Sequence, residues 1–207
     1  MATTPSRRSV MTLFTSPECP YSHRVRMVLA EKDIAHEVEL VDLDNLPEEV
    51  VQLNPYREVP VLQDRELTLY DSQVIMDYLD ERFPHPPLMP VDPVSRAMTR
   101  LLISRIQRDW YSLVADIESS DDKVANLARK AMRASLLENA EAFGEKPYYL
   151  SDEMSLVDCI IAPLLWRLPK WGVKLPSSAA PIAEYATRIF NTKAFRRSLT
   201  EAERELR

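Results

Sequence analysis

The chain has 207 residues, 45% of them apolar, with 26 basic and 32 acidic side chains and a net charge of −6. That length suits one large domain or two small ones, and the acidic balance argues against nucleic-acid binding through bulk electrostatics. Gly144 and Gly172 are the only glycines, where average usage of about 7% would give roughly 14, so a Gly-rich phosphate loop of the P-loop or Rossmann kind is excluded.

In chain order, Val10 to Phe14 reads as a strand and Pro17-Glu18-Cys19-Pro20 as a turn. Residues 21–32 read as a helix with Val25, Val28 and Leu29 on one face. His36 to Val41 alternates as a second strand, and Pro47 to Leu53 is a short helix with proline at its first position. Two further strands flank an Asp64-Arg65 turn, which lacks the glycine a tight hairpin prefers. A helix opens at Asp71-Ser72, its apolar face built from Val74, Ile75, Tyr78 and Leu79. Prolines at 84, 86, 87 and 90 cannot continue it. Helices are predicted at 93–118, 122–143, 155–168, 181–191 and 193–199, with Gly144 as a C-terminal stop. Ser155 and Asp158 form a capping box with a structural role.

Charge is uneven. Residues 1–83 carry eight basic and sixteen acidic side chains, and residues 84–207 carry eighteen and sixteen. An acidic front half fits a basic protein partner, or simply a solvated face. No apolar run approaches the ~20 residues of a membrane span, and the polar start is no signal peptide. Cys19, Cys159 and the three histidines show no metal-ligand spacing, so no metal is expected and the protein reads as reduced and cytoplasmic.

Two blocks could carry chemistry. In the first, Pro60 begins a strand, and X–Pro bonds adopt the cis form readily; a cis Val59–Pro60 bond would turn the Val59 backbone toward a ligand's peptide groups. Nine residues after Leu62 comes Asp71-Ser72; Ser72 can cap its helix, and its hydroxyl with the free N–H groups offers a carboxylate site. In the second, Cys19-Pro20-Tyr21-Ser22 places a thiol at a helix N-terminus, where the dipole favours the thiolate. Ser22 stands where a resolving cysteine would be, and Arg24 and Arg26 lie close by.

These blocks resemble the thioredoxin-like half of the glutathione transferase superfamily. The resemblance implies an α/β N-terminal thioredoxin-like domain over 8–83, a proline-rich linker over 84–92, an all-α C-terminal domain over 93–200 and a charged tail over 201–207. It also implies a glutathione site of Tyr21, Val59, Pro60, Asp71 and Ser72, with Cys19 as the catalytic nucleophile if there is one. Two positions depart from the pattern. Leu46 stands where a lysine often reaches a glutathione carboxylate, and Tyr56-Arg57-Glu58 replaces a stretch that often holds glycine.

Longer stretches, among them Tyr78-Leu79-Asp80-Glu81-Arg82-Phe83-Pro84-His85-Pro86-Pro87-Leu88-Met89-Pro90-Val91 and Ala162-Pro163-Leu164-Leu165-Trp166-Arg167-Leu168-Pro169, resemble the bacterial stringent starvation protein A family. That resemblance implies a homodimeric, RNA polymerase-associated regulator of nutrient stress, without transferase activity and needing no cofactor. Its partner site is implied to be Pro84, His85 and Pro86, which from the residues alone read as an ordinary interdomain linker. Cys19 departs from the usual family members. It keeps open the alternative of a glutathione-dependent thiol transferase. Arg96, Arg100, Arg105 and Arg108, with Trp110 and Tyr111 beyond, form a dimer seam or a solvated basic face.

Overall fold

The computed structural model describes residues 10–207, so the expected domain start at residue 8 lies outside the described residues. The chain divides into two compact units. The first runs through Pro86 and includes Arg197–Glu203; the second is Pro87–Arg196 with Arg204–Arg207.

The first unit is built on a four-stranded mixed sheet of order β2-β1-β3-β4. Strand β1 (Met11–Thr15) is buried along its whole length, as expected of a central strand covered on both faces. It pairs in parallel with β2 (His36–Leu40) and antiparallel with β3 (Val61–Asp64), which pairs with β4 (Leu67–Tyr70). Helices α1 (Pro20–Glu31) and α3 (Ser72–Arg82) pack against each other. Val25, Met27, Val28 and Leu29 of α1, and Ile75, Met76 and Leu79 of α3, are buried. Helix α2 (Glu48–Leu53) buries Val50 against Phe14, Val41 and Val61.

Where glycine was wanting, other residues take the left-handed conformation. Arg65 in the β3–β4 turn has φ +58° and Arg57 has φ +56°; each accepts a cost of about 1–2 kcal/mol that glycine would avoid.

The second unit is helical: α4 (Pro93–Asp109), α5 (Val114–Ile117), α6 (Asp122–Glu138), α7 (Leu156–Arg167) and α8 (Ala180–Phe190). The chain ends in α9 (Lys193–Ser198) and α10 (Glu201–Arg204). Helix α7 is apolar nearly all round and buried, the pattern of a central helix. Its start carries the Ser155–Asp158 box: Ser155 Oγ accepts from Val157 N at 3.2 Å, and Asp158 Oδ2 accepts from Ser155 N at 2.8 Å. Asp158 Oδ1 also accepts from Tyr149 N at 2.9 Å and from the Tyr185 hydroxyl at 2.7 Å. Burial pushes the Asp158 carboxyl above its ordinary range, against those donors. The Tyr185 hydroxyl is pushed up as well, chiefly by burial.

Several boundaries differ from the sequence expectation. The first predicted long helix stops at Asp109, and a 3-10 turn (Tyr111–Leu113) precedes α5. Trp110 and Tyr111 are core residues, donating to Ser135 Oγ and the Ile160 carbonyl at 2.9 Å each, rather than part of a seam. Helix α6 ends at Glu138, before Gly144, which keeps a right-handed φ of −100° and closes a 3-10 turn instead. Pro47 is the N-cap of α2 rather than its first residue. The tail is partly internal, because Glu203 is fully buried.

Candidate functional site

The N-terminal ends of α1 and α3 build one candidate site. Cys19 is the N-cap of α1 with extended backbone (φ −69°, ψ 122°), and Pro20 occupies the first helical position, where a missing N–H costs nothing. The Cys19 thiol is half-buried. Asp71, not Ser72, caps α3. Its Oδ1 accepts from Gln73 N at 2.8 Å and Val74 N at 3.2 Å, and it does so at φ +71°. Asp71 reaches back to those N–H groups because a carboxylate at the N-cap outbids a hydroxyl one residue later. The expected carboxylate site therefore loses two of its free N–H groups. Both bonds fall on Oδ1, and Asp71 is exposed, so Oδ2 stands open to a ligand ammonium.

Ser72 is 3% exposed and is held from below. Arg24, itself 2% exposed, directs Nε to the Ser72 hydroxyl oxygen at 2.8 Å, with Nη2 on the same oxygen. The Arg24 guanidinium carbon lies 5.3 Å from the Tyr21 ring centre, within cation–π range. With its lone pairs taken by Arg24, the Ser72 hydroxyl is left as a donor, and the buried cation behind it favours an anionic acceptor. The Val59–Pro60 bond is cis. Pro60 is buried, and the Val59 side chain packs on the α2 core. Asn54 shapes the approach: its Nδ2 donates to the Glu58 carbonyl at 2.8 Å and its Oδ1 accepts from Tyr56 N at 2.9 Å.

The turn before Cys19 is supported by the C-terminal segment. Thr200 Oγ1 donates to the Pro17 carbonyl at 2.6 Å. Arg26 donates to Thr15 Oγ1 at 2.5 Å, to the Ser198 carbonyl at 2.9 Å and to Glu203 Oε1 at 2.6 Å. His23 Nε2 lies 2.9 Å from Ser198 Oγ, and its Nδ1 3.6 Å from Glu203.

The C-terminal ends of the same two helices build the other candidate site. Pro84, His85, Pro86 and Pro87 are all exposed, and the His85–Pro86 bond is cis. The Lys32 ammonium, at the end of α1, donates to the Phe83 carbonyl at 2.6 Å and the Pro86 carbonyl at 2.7 Å, and pairs with Asp80 at 2.8 Å.

Sequence reasoning noted Arg24 only as a neighbour and passed over Lys32. An arginine amid the apolar residues of α1 was the available signal for the first. For the second it was a run of prolines with carbonyls and almost no donors of its own. Ser155 and Asp158 belong to the helical unit and to its folding. Sequence reasoning also missed a stripe on α4, where Val94, Met98 and Leu101 are 72%, 61% and 55% exposed. Among the described residues, no helix is long and apolar enough to cross a membrane, and no cluster of three His, Cys, Asp or Glu could hold a metal.

Comparison with known proteins agrees with this architecture. The family models for the glutathione S-transferase N-terminal and C-terminal domains match residues 13–87 and 101–193. The rice transferase GST1, solved in complex with glutathione, superimposes with a TM-score of 0.83 at 22% identity over 97% of this chain and 96% of that one. Rat glutathione S-transferase omega-2 is 32% identical over 82% of this chain and 70% of its own length. The stringent starvation protein A homologue of Coxiella burnetii is 48% identical, with 97% of each chain covered. That of Haemophilus influenzae is 47% identical over 98% of this chain and 96% of its own. This chain belongs to the stringent starvation protein A family, on a glutathione S-transferase fold.

Proposed function

We propose that this protein is an RNA polymerase-associated transcriptional regulator of the stress and stationary-phase response, working in the cytoplasm and docking through Pro84, His85 and Pro86. The end-to-end similarity to stringent starvation protein A homologues carries the reading. The loop supports it: a rigid, exposed proline segment loses little entropy on docking, and His85 offers a ring to stack and nitrogens to bond. The acidic first unit favours a basic protein partner over DNA. The protein acts as a homodimer. The exposed stripe of Val94, Met98 and Leu101 supports that part, since a contiguous apolar patch on a soluble protein marks an interface. No cofactor enters this role.

The test is a pull-down of tagged protein from a stationary-phase bacterial lysate, with His85→Ala alongside. The wild type is expected to recover polymerase subunits and the variant to lose them. Polymerase absent from both, or retained equally by both, counts against the reading.

Cys19 favours a second activity, glutathione-dependent thiol transfer. Its sulfur would attack the glutathione sulfur of a mixed disulfide, releasing the other thiol and forming a Cys19–glutathione disulfide. A second glutathione thiolate would then release Cys19 and leave as glutathione disulfide. Val59 would pair with the peptide, Tyr21 would line the site, and Asp71 and Ser72 would hold the γ-glutamyl end. Cys19→Ser should abolish such transfer and leave polymerase recovery intact.

A further inference from the structure

Pro84-His85-Pro86-Pro87 has an unusual donor deficit. A turn closed over residues 83–86 needs the N–H of residue 86, and one over 84–87 needs that of residue 87. Both are proline and have none. His85 is the only residue from 84 to 87 with a backbone N–H. The segment has carbonyls to satisfy and, on its backbone, only the His85 N–H to offer.

Lys32 supplies what is missing. Its side chain is fully buried. Its three N–H donors match three acceptors: the carbonyls of Phe83 and Pro86, on either side of Pro84-His85, and the Asp80 carboxylate on the last turns of α3. One ammonium therefore holds both ends of the bend and ties them to the helix that delivers it. Asp80 is 5% exposed and keeps the charge compensated, so the lysine stays put rather than reaching for water.

We infer that Lys32 is the positioning residue of the docking loop, a buried cation that replaces the turn hydrogen bonds the prolines cannot make and so fixes the direction in which His85 is presented. The inference rests on the polymerase-docking reading for its function, and on the geometry alone for the clamp.

Removing Lys32 by itself would take the cation from the buried Asp80 carboxylate, so the test uses the charge-free pair Lys32→Met with Asp80→Leu. The first readout is the backbone order parameter of the His85 amide by nitrogen relaxation. Wild type is expected near the rigid value of about 0.85, and the double variant below about 0.6. The second is affinity for purified RNA polymerase holoenzyme, with circular dichroism confirming the fold. The double variant should bind about tenfold more weakly, and adding His85→Ala should cost little more, because Lys32 acts through that residue. An unchanged His85 order parameter overturns the clamp. Full additivity with His85→Ala shows that Lys32 acts elsewhere and overturns the positioning role. A wild type that binds no polymerase, while His85 loses order in the variant, would sink the docking reading and leave the clamp standing.

Discussion

Helices α1 and α3 carry a buried cation at each end of their packed pair, and the two cations are used differently. At their N-terminal ends a cation, Arg24, holds a hydroxyl whose proton is left free to bond a ligand. At their C-terminal ends a cation, Lys32, directs its protons inside the protein and leaves an exposed proline loop outside. The two ends are separated by the length of α3, about 16 Å for an 11-residue helix. One end offers a hydroxyl donor and an open carboxylate oxygen while the other exposes a proline loop, and under the proposed function a substitution at one should leave the other intact. The lesson concerns burial of charge. Arg24 fixes a hydroxyl by its oxygen, whereas Lys32 turns its N–H groups onto two loop carbonyls and a carboxylate.

The largest expected effect comes from the support beneath the pocket end. Glu203→Ala leaves Arg26 buried without its carboxylate, and breaking a buried pair from one side costs about 3–5 kcal/mol. Chemical denaturation should show a loss of that order; a loss below 1 kcal/mol would mean that the C-terminal segment does not brace the Cys19 turn.

Next comes a control within the helical unit. Tyr185→Phe deprives the buried Asp158 carboxyl of its 2.7 Å donor, a change worth about 1–3 kcal/mol. The pH dependence has a definite sign. Asp158 is raised in the folded state, so the folded protein holds that proton after the unfolded chain has released it. Its contribution to stability is greatest below the unfolded pKa and falls as pH rises through the folded pKa. Urea unfolding should show wild type losing ground to Asp158→Asn as pH rises from about 4; the opposite slope would contradict the raised carboxyl.

A smaller effect sharpens the contrast directly. Asp71→Ala removes the cap of α3, for about 1 kcal/mol, and should weaken glutathione binding at the pocket end while polymerase affinity holds. The smallest belongs to Cys19→Ser, which should change stability by no more than about 0.5 kcal/mol and abolish thiol transfer. If it also weakened polymerase binding, the two ends would not be independent.

Much of this was legible in the sequence. The strand and helix order of the first unit followed from alternation and helical spacing, and Ser155-x-x-Asp158 marked the start of α7. The cap of α3 was misplaced by one residue, because the sequence offers two capping side chains in a row and only geometry shows Arg24 claiming the serine. The turns at Arg57 and Arg65 lacked their glycine signal, since arginine accepts the left-handed conformation there at a cost. Glu203 looked like part of a solvated tail, and nothing local to residues 201–207 reveals the partners waiting at His23 and Arg26. Lys32 looked like an ordinary helix-end lysine. Its importance appears only when the donor count of a loop some fifty residues later is set beside it.

The most direct test of the account measures the affinity of purified RNA polymerase holoenzyme for wild type, Cys19→Ser and His85→Ala side by side. Wild type and Cys19→Ser are expected to bind alike and His85→Ala to bind at least about tenfold more weakly, a difference of about 1.4 kcal/mol. Equal binding by wild type and His85→Ala, or loss of binding in Cys19→Ser, would contradict it.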